Sequence, residues 1–176
     1  VSGSPDSVIY SLTLFEHVDG RNVLRVQTDS YNNPLNYNDG TKMDLGSTAK
    51  LRTLVTYLQI VEELYYRFSA LSADELRDLR VARADKIRAW AREYVLAHPS
   101  PSLDTMIHAA LDRKYSASTG ESFFTGGGIH KFVNFDKRHN GGAYSLRESF
   151  RHSINLPFIR LMRDIVQYHI FRNPQM

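Results

Sequence analysis

Apolar, β-branched and aromatic residues crowd positions 7–16 (Ser-Val-Ile-Tyr-Ser-Leu-Thr-Leu-Phe-Glu) and again 22–28, which predicts two strands. Asp19-Gly20 lies between them, and that dipeptide favours a tight hairpin because both residues accept positive φ. Residues 29–46 are rich in Asn, Asp and Gly and predict a long loop. From Ser47 the apolar period changes to three and four. Leu51, Leu54, Val55, Leu58, Val61, Leu64, Tyr65 and Phe68 would then form one face of a helix over 47–68.

Further along, Ser72 and Glu75 form a capping-box pair, which predicts a second helix from Ser72 to about Ala97, ending before His98-Pro99. A shorter helix is expected from about Leu103 to Lys114. Residues 115–143 look like loop, broken by Thr125-Gly126-Gly127-Gly128 and Asn140-Gly141-Gly142. Ser145 and Glu148 make another capping box opening a helix near Leu146. Ser153-Ile154-Asn155 ends or interrupts it. Leu156-Pro157 then starts a last helix, since proline is accepted in a first turn, with Leu161, Ile165, Val166 and Ile170 as its packed face. Strands followed by helices give an α+β class.

Composition narrows the partners more than the fold. The chain has 176 residues, enough for one domain with a real core. Its net charge of +3 is small and scattered, with no basic cluster interleaved with aromatics, so nucleic acid is not implied. There is no cysteine, which excludes disulfides and thiolate metal sites. Seven histidines show no metal-ligand spacing. The apolar runs are too short to span a bilayer, and residues 1–5 lack the plan of a signal peptide, so any anchor or export signal is expected outside this chain. Trp90 and Tyr94 are at core spacing on the second predicted helix. The basic residues there (Arg77, Arg80, Arg83, Lys86, Arg88, Arg92) alternate with Asp74, Glu75, Asp78, Asp85 and Glu93, as on a solvated, ion-paired face. Phe123-Phe124 with the following glycines is either a mobile flap or an ordinary hydrophobic loop.

Ser47-Thr48-Ala49-Lys50 carries candidate chemistry. Serine is a poor nucleophile at neutral pH and needs a base within hydrogen-bond reach. Side chains three apart on a helix are neighbours, the helix N-terminus favours a developing oxyanion, and burial would depress a lysine pKa as a general base requires. Gly46 permits a sharp turn just before the serine. With this chain's serines and lysines, chance alone supplies about 0.5 such pairs. The plain alternative is a helix-capping Ser47 beside a solvated Lys50. Ser153-Ile154-Asn155 could present a hydroxyl and an amide to a cleft, or simply cap between helices. Ser30-Tyr31-Asn32 fits the same pattern.

The setting adds weight. Asp44-Leu45-Gly46-Ser47-Thr48-Ala49-Lys50-Leu51 resembles the nucleophile segment of bifunctional (class A-like) penicillin-binding proteins, with Asn36 matching an Asn of the preceding loop. Asn134-Phe135-Asp136, a glycine at 141 or 142, and Ser145-Leu146-Arg147-Glu148 through Ser153-Ile154-Asn155-Leu156-Pro157 resemble that family's second-motif region. The resemblance covers 7–68 and 130–170, and implies a partial β-lactamase/transpeptidase-like fold spanning 1–176. Its parts would be a strand pair and loop (7–46) belonging to a central sheet, a nucleophile helix (47–68), a helical insertion (69–129) and the second-motif region (130–176).

By that resemblance Ser47 would be acylated, Lys50 would be the base, Ser153 would relay a proton and Asn155 would bind the substrate amide. The Ser47 N–H would supply half of an oxyanion hole. The implied activity is D-alanyl-D-alanine transpeptidation of peptidoglycan stem peptides, inhibited by β-lactams, outside the cytoplasmic membrane and without a cofactor. The family's Lys-Thr-Gly or Lys-Ser-Gly motif is absent, which is expected if the sequence stops before it. Two rivals stand beside this reading. One is a serine hydrolase on the same scaffold (β-lactamase, carboxypeptidase or esterase), and the other a degenerate binding or scaffolding module. Two strands alone would leave an exposed sheet edge, so self-association is also expected.

Overall fold

A computed structural model of the chain describes residues 9–30 and 45–172, which fall in two separate compact units. The first contains the hairpin: β1 (Ser11–Val18) pairs antiparallel with β2 (Arg21–Asp29). Asp19 and Gly20 have φ of 49° and 75°, the double left-handed geometry that suits a two-residue hairpin. A bulge between Leu14 and Phe15 shifts the register. Leu12, Leu14, Phe15, Leu24 and Val26 are exposed. The expected loop lies largely outside the described residues, as does Asn36.

The second unit is mainly helical. A 3-10 turn (Gly46–Thr48) leads into α1 (Ala49–Ser69), followed by α2 (Ala73–Asp78), α3 (Lys86–Ala97) and α4 (Leu103–Leu111). Three short strands follow, β3 (Lys114–Ser116), β4 (Ser122–Thr125) and β5 (Gly128–Lys131). Then come a 3-10 turn (Lys137–His139), β6 (Ala143–Ser145), α5 (Leu146–Arg151) and α6 (Asn155–Arg172). The mixture of helix and strand is α+β in the broad sense. None of the described helices is long and apolar enough to cross a membrane.

Four expectations need correction. The helix expected over 72–97 is two helices. Leu79 is extended, and Asp85 starts α3 afresh by accepting a hydrogen bond from the Arg88 N–H (3.0 Å). Asp85 is fully buried, and its other oxygen pairs with the Arg88 guanidinium at 3.3 Å. The stretch 115–143 is not plain loop: β3 pairs with β6 and β4 with β5. These strands have three or four residues each, too short for a visible alternation, and exist because a partner is in place.

The buried stripe of α1 is Lys50, Thr53, Leu54, Tyr57, Ile60, Val61, Leu64 and Phe68, whereas Leu51 and Val55 are exposed. Thr53 goes inside because its hydroxyl is satisfied on the Ala49 carbonyl (3.2 Å), so an apolar-only pattern tilts the stripe off its true face. On α6, Leu161 and Ile165 are buried as expected, but Val166 and Ile170 are exposed. Among the described residues each sheet has two strands.

The core packs α1 against α3, α4 and α6, and Trp90 and Tyr94 lie at its edge, partly buried. A polar layer crosses it. Arg113 donates to Tyr57 Oη (2.9 Å) and lies over the Tyr57, Trp90 and Tyr115 rings, while Tyr115 Oη donates to Asp164 (3.1 Å). Burial pushes the Asp164 carboxyl up. Arg160 anchors α6 to the chain after β3 through the Ser116 (2.7 Å) and Ser118 (3.0 Å) carbonyls and Glu121 (3.0 Å). The Arg160 bonds hold the early turns of α6 against the end of β3 and the residues after it.

Candidate active site

Ser47 sits in the 3-10 turn, entered through Gly46 at φ 50°, a conformation glycine adopts without a steric penalty. No side-chain cap forms at either end of this turn, so the Ser47 hydroxyl is not spent on capping. One turn later Lys50 points inward and is only 9% exposed. Both halves of the plain alternative for this motif are therefore excluded.

Ser153 reaches the same place by a different device. The α5 helix ends with the Ile154 N–H bonded to the Ser149 carbonyl (2.8 Å) and the Ser153 N–H to the Phe150 carbonyl (3.2 Å). This paired closure places its penultimate residue in the left-handed region, normally a glycine position. Here that residue is Ser153, at φ 53°. The reversal buries Ile154 and opens α6 at Asn155.

The four side chains meet. Lys50 Nζ lies 3.0 Å from Ser47 Oγ, 2.9 Å from Ser153 Oγ, 2.8 Å from the Ser153 carbonyl oxygen and 2.7 Å from Asn155 Oδ1. Ser153 Oγ is 2.8 Å from Ser47 Oγ. The Asn155 amide is oriented by donation from Nδ2 to the Val133 carbonyl (3.0 Å), leaving its oxygen for Lys50.

Counting donors shows what this cluster can do. An ammonium has three N–H groups and here faces four oxygens; a neutral amine has two N–H groups and a lone pair. The Ser153 carbonyl and Asn155 Oδ1 only accept, so they take both N–H groups of the neutral form. The lone pair is then left for a hydroxyl proton. Burial pushes the Lys50 amine below the ordinary lysine value, and among the described residues no carboxylate lies within ion-pair distance to counter this. In its neutral form Lys50 can accept a hydroxyl proton from Ser47 or Ser153, both within hydrogen-bond distance of its nitrogen.

Ser47, Ser153 and Asn155 open on a pocket of about 430 Å³, whose far wall carries Asp136, His139 and His152. Arg138 grips both Asp136 oxygens, and its hydrogen bonds hold that carboxyl down at about 2, so it stays ionised and paired. On the other side Lys50 and Asn155 form the polar corner of a groove of about 910 Å³ lined by Phe123, Phe124, Phe132, Phe158 and Met162. The Phe123-Phe124 stretch, left open between flap and loop by its sequence, is the β4–β5 hairpin and walls this groove. Among the described residues no group of His, Asp or Glu side chains is placed to hold a metal ion.

All four residues singled out from sequence converge here. What the sequence reading left without a role is Asn134, which is 3% exposed and accepts hydrogen bonds from the Asn155 and Leu156 N–H groups (3.0 Å each). The Ser-Lys-Ser-Asn cluster, in a fold of α+β type, is the candidate active site. No family model, no curated protein and no solved structure matches this chain.

Proposed function

We propose that this chain carries the acylation centre of a penicillin-sensitive serine D-alanyl-D-alanine transpeptidase. The observation that carries the reading is the direct contact of Ser47 and Lys50 with Ser153 and Asn155, more than a hundred residues away in sequence. Ser47 Oγ attacks the penultimate D-alanyl carbonyl of a stem peptide while Lys50 takes its proton. Ser153 passes a proton to the departing D-alanine nitrogen as the C–N bond breaks. An amine of a neighbouring stem then attacks the acyl-enzyme and gives a proton to Lys50, which returns it to Ser47 Oγ as the ester C–O bond breaks. Asn155 is within reach to donate to the substrate amide once it releases Val133, and the Ser47 N–H at a helix start would steady the oxyanion.

On this reading the protein works in the periplasm or an equivalent extracytoplasmic space, held at the membrane by a segment outside the sequence given. The second reading is a degenerate binding or scaffolding module on the same scaffold.

Intact mass spectrometry after exposure to a penicillin, with Ser47→Ala beside it, separates them. One adduct mapped to Ser47 and lost in the variant is expected. A folded protein that takes no adduct turns the reading toward the non-catalytic module.

A further inference from the structure

We infer that Asn134 is the positioning residue of this site, the group that fixes Asn155 and, through the start of α6, Ser153 against Lys50. The inference rests on the acyl-transfer reading for its consequence in rate, and on the geometry alone for its consequence in structure.

Asn134 is unlike the other polar residues around the pocket. It lies in the connection between β5 and the Lys137–His139 turn and is 3% exposed. Its amide is used from both ends. Oδ1 accepts from the first two N–H groups of α6, those of Asn155 and Leu156 (3.0 Å each). These are donors that a helix start leaves without intrahelical partners, and α6 has no capping serine or aspartate of its own to meet them. Nδ2 donates to the Ala117 carbonyl (3.1 Å), the His139 carbonyl (2.8 Å) and Asn140 Oδ1 (3.2 Å). One side chain therefore pins the N-terminus of α6 to the end of β3 and to the 3-10 turn that forms the far wall of the pocket.

The connection to the reacting groups is short. Asn155 is held by its backbone N–H on Asn134 and by its side-chain amide on the neighbouring Val133 carbonyl. With both ties made, Asn155 Oδ1 sits 2.7 Å from Lys50 Nζ, and the preceding Ser153 presents its carbonyl and hydroxyl to the same nitrogen. Loss of the Asn134 amide frees two buried N–H groups, loosens the first turn of α6, and withdraws from Lys50 the two acceptors that direct its lone pair at the hydroxyls. Water then enters beside Lys50. Reacting groups displaced by about an ångström can lose roughly a hundredfold in rate.

Two measurements test the role on the intact chain. Trace labelling of lysines with acetic anhydride across pH, read by peptide mapping, gives the titration midpoint of Lys50 whether or not the protein is an enzyme. Penicillin acylation of Ser47 gives the rate.

Asn134→Ala is expected to raise the Lys50 midpoint toward the ordinary lysine value and to slow acylation by up to roughly a hundredfold. Tyr115→Phe, which removes a core hydrogen bond outside both pockets, should lower stability and leave both readouts in place. Should Asn134→Ala fail to fold, Asn134→Asp keeps the oxygen acceptor for α6. Its charge should raise the Lys50 midpoint and move the pH–rate profile to higher pH, and because the three Nδ2 donations are lost the plateau should recover only in part.

An unchanged Lys50 midpoint in a folded Asn134 variant, or an equal change in Tyr115→Phe, overturns the inference. So does a uniform loss of rate at every pH in Asn134→Asp. A wild-type chain that never acylates sinks the transpeptidase reading alone, and the Lys50 midpoints still decide for or against Asn134.

Discussion

Replacing Ser153 by glycine and, separately, by alanine tests the backbone logic of the site. Both variants lose the hydroxyl, so both lose the 2.8 Å contact to Ser47 and the 2.9 Å contact from Lys50. At this half-buried position those two bonds together stabilise by about 1 kcal/mol. The variants differ in one respect. At φ 53° alanine keeps the clash between Cβ and backbone, whereas glycine is free of it. At positive φ, relief of that clash exceeds the extra entropy glycine carries in the unfolded chain, and alanine falls below glycine by about 1 kcal/mol.

Ser153→Gly should therefore melt close to wild type, and Ser153→Ala about 4 °C lower than Ser153→Gly, as followed by circular dichroism. On penicillin both should acylate at least about a hundredfold more slowly, because a proton relay is gone in each. Alanine melting at or above glycine would refute the left-handed placement of residue 153. A glycine variant that acylates like wild type would refute the role of the hydroxyl while leaving the backbone argument intact.

Three further outcomes are expected. Because burial depresses the Lys50 pKa, the unfolded chain holds more protons between the folded midpoint and the ordinary value of 10.5. Stability should thus rise with pH through that window, an increment absent from the titration of Lys50→Met, and acylation should rise through the same midpoint. Asp85→Ala removes the cap of α3 and strands the Arg88 guanidinium opposite a buried oxygen position, so urea unfolding should show a loss of about 3–5 kcal/mol. Leu14 and Val26 face each other across the exposed hairpin, so sedimentation should show concentration-dependent association that Leu14→Glu with Val26→Glu reduces; a clean monomer in wild type would remove this expectation.

Features set by neighbours within four residues were legible in the sequence. The Asp19-Gly20 turn, the capping boxes at Ser72 and Ser145, and the stretch of helix after Ser47 each follow from short-range sterics and hydrogen bonding, and each stands where it was read. The Ser-Thr-Ala-Lys spacing likewise announced that Ser47 and Lys50 would be neighbours.

The tertiary structure decided the rest, because the energies involved come from contacts distant along the chain. The true face of α1 depends on which residues α3, α4 and α6 cover, and so Thr53 and Tyr57 went in while Leu51 stayed out. Strands β3 and β6 have no pattern of their own and exist by pairing across a gap of 26 residues, 117–142. The break before Asp85 lay hidden in a run of good helix formers, since its cap is worth more buried than exposed. Lys50 could have been a solvated lysine, and Ser153 an ordinary helix end. Burial of the first beneath α6, and the left-handed reversal that aims the second back at Ser47, turned two weak motifs into one cluster. Neither event leaves a local trace in the residues that undergo it.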